Sequence, residues 1–228
     1  MAAGDISIFS DKYNPRKAIV LEGGDDAVQV DVWATDRQTA NDTVGTITAW
    51  VMPETKSATY TIISAGDANA DEFIDFSIVN GLLHFEVSDG GVTNIDVETD
   101  DIVVEPHVWT HVALVQDTIQ PIFYVNGVKV DATNDISTDL TAWFDAASGL
   151  DTGNIGYLEA NNTTTQDFVG GIGAVKHWNK ALTAAEVMND YKERTQTAAA
   201  DALQISHWDW DGDLVDSWAG ANNATTVA

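Results

Sequence analysis

The 228-residue sequence predicts an all-β protein, an antiparallel two-sheet β-sandwich with one short helix near its C-terminus. Three observations carry that expectation. Apolar and polar residues alternate with period two in Ile74, Phe76 and Ile78 against Asp75 and Ser77, and again in Leu83, Phe85 and Val87 against His84 and Glu86, as half-buried strands require. Asn80-Gly81 joins those two runs, and Asn126-Gly127 follows Phe123-Tyr124-Val125; Asn-Gly supplies the two positive φ angles of a tight hairpin. From Val108 to Gln116, Val108, Thr110, Val112 and Leu114 alternate with Trp109, His111, Ala113 and Val115, so both faces are largely apolar, as in a central strand covered on both sides.

Length and composition agree with one substantial core, since all-β sandwiches commonly reach this size as a single domain. The absence of cysteine excludes disulfides, thiolate metal sites and cysteine nucleophiles. A formal net charge of −26, from 36 acidic against 10 basic residues, argues against nucleic acid and against anionic membrane surfaces, because phosphate binding rests on clustered Lys and Arg. Such a surface repels itself at low ionic strength and is screened in saline or calcium-rich media. Met1 to Phe9 lack the charged start and apolar run of a signal peptide, and no apolar stretch approaches membrane-spanning length. The expected location is therefore extracellular, either with a leader already removed or by a route that needs none, or on a virion surface.

Thr133 to Asp151, centred on Trp143-Phe144, is the longest poorly patterned stretch, and such stretches tend to be functional or to cover something. Thr183 with Glu186 three residues on forms a capping box, Leu182 and Val187 occupy staple positions, and Val187, Met188 and Tyr191 make an apolar stripe, so a helix follows.

The segments Trp109-Thr110-His111-Val112-Ala113 and Tyr124-Val125-Asn126-Gly127, with Leu21–Val30, Gly45–Pro53, Phe168–Val175 and Trp178–Val187 in that order, resemble the laminin-G-like, concanavalin-A-like lectin/glucanase jelly-roll superfamily. The resemblance implies a jelly roll over residues 1–196, with Leu21–Val30 as its opening strand pair, Gly45–Pro53 as the next strand and Phe168–Val175 as its final long strand, and extracellular recognition, commonly of glycans or proteins and often with Ca²⁺. Residues 197–228 form an extension. Within it His207 to Gly220 resembles the aromatic-Asp strand that usually stands before the first strand pair. It is expected either to fill that edge of the same sandwich or to complete a neighbouring subunit, the second arrangement building an oligomer.

Candidate chemistry is sparse. Jelly-roll glucanases set acids at i, i+2 and i+4 of one strand; the nearest string, Asp71 to Phe76, puts Asp71, Phe73 and Asp75 on one face and lacks the acid ladder. His84, His107, His111, His177 and His207 lie in no metal-binding spacing, and His111 reads as a packed residue. No nucleophile elbow or phosphate loop is present, so catalysis is not expected. Candidate Ca²⁺ ligands are Asp25 and Asp26 after Gly23-Gly24, and Asp209, Asp211 and Asp213 with alternating carboxylates. Candidate sugar platforms are Trp143 and Trp218, the tryptophans in loop-like text, whereas Trp33, Trp50, Trp109, Trp178, Trp208 and Trp210 are expected in the core. The reading is a non-catalytic, surface-displayed recognition module, foremost a virion component such as a capsid decoration or fibre protein, with a secreted or cell-wall carbohydrate-binding module as the alternative. Its partners would be a glycan or protein surface and further copies of itself.

Overall fold

Asn80 and Gly81 take φ angles of 53° and 88°, and Asn126 and Gly127 take 49° and 77°, so both Asn-Gly pairs close the tight turns that their sequence demands. Around them the computed structural model describes residues 7–10, 17–24, 26–193, 196, 198–210 and 225–227. Its elements are β1 (Ser7–Ser10), β2 (Lys17–Glu22), β3 (Ala27–Gln29), α1 (Asp31–Ala40), β4 (Gly45–Pro53), β5 (Thr59–Gly66), β6 (Phe73–Val79), β7 (Leu82–Asp89) and β8 (Val92–Thr99). There follow β9 (Thr110–Gln116), β10 (Pro121–Val125), β11 (Val128–Lys129), β12 (Ala132–Ser137), β13 (Thr152–Ile155), β14 (Leu158–Ala160), β15 (Thr163–Thr165), β16 (Val169–Trp178), α2 (Ala184–Tyr191), α3 (Ala198–Asp201), β17 (Gln204–Trp208) and β18 (Thr225–Val227).

Two eight-stranded antiparallel sheets form the sandwich. The first runs β1-β2-β16-β4-β9-β10-β11 with β17 beside β16; the second runs β12-β8-β7-β6-β5-β13-β3-β18. A separate ribbon pairs β14 with β15. The Asn126-Gly127 turn joins β10 to β11, whereas β9 reaches β10 through a loop in which Asp117 Oδ1 accepts from the Ile119 and Gln120 amides at 2.9 and 3.1 Å. Among the described residues no helix is long and apolar enough to cross a membrane.

The core lies between the sheets. Ile47, Ala49 and Val51 of β4, Val112 and Leu114 of β9, and Ile172 and Val175 of β16 face Ile74, Phe76, Ile78, Leu83, Phe85, Val87, Ile95 and Val97 of the second sheet. One end is plugged by aromatics: Trp33 meets Phe144 edge-on at 5.4 Å and Trp208 at 6.2 Å, and Trp33 Nε1 donates to His177 Nδ1 at 2.9 Å. Trp143 belongs to this plug and is 0% exposed, which corrects its reading as a sugar platform. The patternless segment that carries it covers the sandwich end, and Gly45 makes the room, since a Cβ there would lie 2.7 Å from the Trp143 indole nitrogen. Trp33, Trp50, Trp178, Trp208 and Trp210 are buried as expected, but Trp109 is half-exposed and rests against Gly171.

Helix α1 is an element the sequence reading lacked. Its N-cap, Val30, offers no side-chain cap, and only Trp33 and Ala34 are buried, so neither a start signal nor a full apolar stripe marks it. Its end is clearer: Asn41 takes the left-handed conformation at φ 56°, and Arg37 pairs with buried Asp42 at 2.9 Å.

Helix α2 has the expected capping box between Thr183 and Glu186. Leu182 and Val187 pack on Ala113, Val115, Tyr124 and Trp178, so the helix seals the outer side of the first sheet. Beneath it Asp190 accepts from Lys176 Nζ at 2.7 Å, Thr48 Oγ1 at 2.8 Å and His111 Nε2 at 3.0 Å. Burial alone would raise the Asp190 pKa, yet the Lys176 charge and the His111 hydrogen bond hold the carboxyl far below the usual carboxylate range. His111 is thus packed and hydrogen-bonded, as its setting in an apolar strand implied.

Candidate functional site

With the first sheet sealed by α2, the outer face of the second sheet is the surface on which strands present side chains to solvent. The Asn80-Gly81 turn fixes the register of β6 on β7, so Asp75 stands opposite Glu86 and Ser77 opposite His84. Strand β8 continues both lines, with Asp96 opposite Glu86 and Glu98 opposite His84. On the other side Ser64 faces Asp75, and Thr61 faces Ser77. Two cross-strand rows result: Ser64–Asp75–Glu86–Asp96, and Thr61–Ser77–His84–Glu98. The acid ladder is missing along any single strand, as the sequence implied, but acids are assembled across strands. Likewise His84, in no recognisable spacing, is brought beside Glu86 and Asp96.

The β14–β15 ribbon forms a wall over the β5 side of this face. Ser64 Oγ donates to the Tyr157 carbonyl at 2.8 Å, and the Thr61 amide donates to the Gln166 carbonyl at 2.9 Å. At its tip the Asn161 amide donates to the carbonyls of Asp67 and Ala70 at 3.0 and 2.9 Å. Gly66 lets the wall lie close, because a Cβ there would be 2.0 Å from the Glu159 carbonyl oxygen. Gly66→Ala is therefore expected to push the ribbon off the sheet at a cost of about 1–3 kcal/mol, the range for forced overpacking. Denaturant unfolding checks this; an unchanged midpoint would mean that the ribbon shifts freely.

Between wall and sheet opens a cleft of about 330 Å³, at the small end of the range for ligand pockets. Asp71 and half-buried Phe73 line one side, and Leu158, Asn161, Thr163 and Gln166 the other. An aromatic face among hydroxyl and amide groups is the mix a sugar ring uses, its C–H face stacking and its hydroxyls hydrogen-bonding. Phe73, not a tryptophan, is the exposed aromatic here; the sequence shows it only as the residue between Asp71 and Asp75.

Beside the cleft Asp75 is completely buried and Thr61 Oγ1 donates to its Oδ1 at 2.8 Å. Burial pushes its pKa up, against the pull of the Ser77 and Thr61 hydroxyls and the His84 ring. Burial also raises Glu86, which accepts from Thr93 Oγ1 at 3.0 Å. No Lys or Arg stands in either row or lines the cleft. Arg37, the one arginine among the described residues, is spent on Asp42.

Of the proposed Ca²⁺ ligands, Asp26 is buried and its Oδ2 accepts from the Glu22 amide at 3.1 Å, tying down the turn. Asp209 is half-buried after β17, between buried Trp208 and Trp210. Asp25, Asp211, Asp213 and Trp218 lie outside the described residues.

Residues 22–188 match the concanavalin A-like lectin/glucanases superfamily, and the chain belongs to that family. No curated protein sequence matches it significantly. Among solved structures it is similar to the CBM40 domain of the Ruminococcus gnavus IT-sialidase bound to α2,3-sialyllactose, at 18% identity and TM-score 0.61, over 76% of this chain and 96% of that one. The leech intramolecular trans-sialidase complexed with 2,7-anhydro-Neu5Ac is similar at 20% identity and TM-score 0.65, over 78% of this chain but 27% of that one. Domain 4 of AbnA, a GH43 extracellular arabinanase from Geobacillus stearothermophilus in complex with arabinotriose, gives 18% identity and TM-score 0.55, over 82% and 81% of the two chains. At these identities the likeness establishes the fold.

Proposed function

We propose that the chain is an extracellular, non-catalytic carbohydrate-binding domain that takes a neutral glycan on the open face of the second sheet, in the cleft between β6 and the β14–β15 wall. The observation that carries this reading is the cleft itself, with Phe73 half-exposed among Asn161, Thr163 and Gln166. Glycan-bound relatives of the same fold, the CBM40 and arabinanase domains, support the ligand class. The charge pattern narrows it. A sialic acid carries a carboxylate that needs a cation, and this face carries Asp71, Asp75, Glu86, Asp96 and Glu98 with no Lys or Arg in its rows or lining the cleft. A neutral oligosaccharide such as an arabinan or xylan fragment meets no such repulsion. Burial withdraws Asp75 from any substrate, so the opposed Asp75–Glu86 pair lacks the second accessible carboxylate that glycoside hydrolysis requires. No feature of the fold favours the virion role over this one.

Titration calorimetry against neutral oligosaccharides and 3′-sialyllactose tests the reading. Binding of a neutral oligosaccharide is expected, with sialyllactose at least ten-fold weaker. Phe73→Ala should weaken it a further ten-fold or more, equivalent to about 1.4 kcal/mol. Preference for sialyllactose, indifference to Phe73→Ala, or release of reducing ends during incubation would each overturn it.

A further inference from the structure

The second feature of the open face lies past the cleft. His84, Glu86 and Asp96 bring one imidazole nitrogen and two carboxylate oxygens within 4.8 Å of one another. The groups are already oriented: the Ser77 hydroxyl holds His84 Nδ1 at 3.2 Å, leaving Nε2 to face Asp96 Oδ1 at 2.8 Å, and Thr93 fixes Glu86. Asp75 adds an independent observation. It is completely buried directly opposite Glu86, and its Oδ2 has no hydrogen-bond partner, although a buried carboxylate oxygen left unpaired is costly. Thr61 of β5 takes Oδ1, and the carboxyl as a whole feels the His84 charge and is felt in turn by Glu86. Glu98 adds another acid opposite His84, and neither row contains Lys or Arg. A proton or a cation must answer this concentration of lone pairs.

We propose that His84, Glu86 and Asp96 form a binding site for a first-row divalent metal ion, with Asp75 behind them as a further carboxylate. The imidazole selects against Ca²⁺ and Mg²⁺, which take oxygen ligands, and in favour of an ion such as Zn²⁺. Ligand atoms around tetrahedral Zn²⁺ stand roughly 3.3–3.5 Å apart, so the His84–Asp96 pair, at 2.8 Å, must open and Glu86 must close in by no more than about 1.5 Å, with the ion displacing the proton between His84 and Asp96. The site is distinct from the glycan cleft and stands or falls without it.

Equilibrium dialysis and calorimetry of chelator-treated full-length protein with ZnCl₂ test the proposal. One equivalent should bind with micromolar or tighter affinity and raise the melting temperature. His84→Ala and Asp96→Asn should each weaken binding at least ten-fold while Phe73→Ala leaves it intact, with circular dichroism confirming that each variant folds. Should His84→Ala fail to fold, Glu86→Gln serves instead, with the same expected loss. No saturable zinc uptake, uptake unaltered by these substitutions, or calcium bound as tightly as zinc would overturn the proposal.

Discussion

Asp190→Ala is expected to cost about 3–5 kcal/mol of folding stability, the cost of breaking a buried ion pair by removing one partner. The carboxylate is 4% exposed and receives Lys176, Thr48 and His111 at once, so its loss strands three donors under α2, one of them charged. Urea unfolding followed by tryptophan fluorescence gives the number. Asp190→Leu combined with Lys176→Met should recover much of the loss, because removing both charges removes the stranded one. A single variant within 1 kcal/mol of the parent would mean that the apolar contacts of Leu182 and Val187 seat α2 by themselves.

Acidification from pH 7 to 5 is expected to remove about 4 kcal/mol through two buried histidines, each contributing about 1.4 kcal/mol per pH unit below the ordinary histidine pKa near 6.5. Burial, helped by the Arg37 charge, holds His177 well below that value. Burial and then Lys176 bring His207 down to about 4, against the opposite pull of Asp209 and Asp190. The folded chain refuses protons that the unfolded chain accepts, so stability is full above pH 6.5 and falls below it, His207 ceasing to contribute near pH 4. Asp190, with its depressed pKa, loses its contribution only as pH drops below the usual carboxylate range, outside this window. Asp42 and Asp75, raised by burial, act in the contrary sense and gain as pH falls. The histidine part is therefore read by difference. His177→Asn, whose Oδ1 can still accept from Trp33, should lower stability at pH 7 and flatten the slope by about 1.4 kcal/mol per pH unit between pH 6.5 and 5. An unchanged slope would show that the ring titrates without opening the core.

What the sequence makes legible follows from which forces are local. The Asn80-Gly81 turn is a local signal, and once it is placed the pairing of Asp75 with Glu86 and Ser77 with His84 follows by counting outward. The acid row was thus within reach, but reading acids along strands rather than across them hid it. The next step was not within reach. A shift between Val87 and Ser88 alters the β7–β8 register, so the meeting of His84 with Asp96 depends on a bulge that no residue announces. Trp143 is illegible for another reason: its burial rests on the missing side chain of Gly45, nearly a hundred positions away in sequence. The β14–β15 ribbon hides behind three-residue strands, although Asn161 and Asn162, at φ 51° and 56°, do mark its turn.

That ribbon separates anchorage from selectivity. It is fastened chiefly by main-chain atoms, the Tyr157 and Gln166 carbonyls to β5 and the Asn161 and Asn162 amides to the carbonyls of residues 67–70, while Asn161 and Thr163 to Thr165 present exposed side chains. Substitutions at Thr163 to Thr165 leave these main-chain fastenings untouched, whereas Asn161, at φ 51°, is held by its turn. On the proposed reading, descendants of such a chain can explore new ligands by point substitution at Thr163 to Thr165 at little cost to folding, which makes this stretch a favourable place for specificity to evolve and for an engineer to randomise.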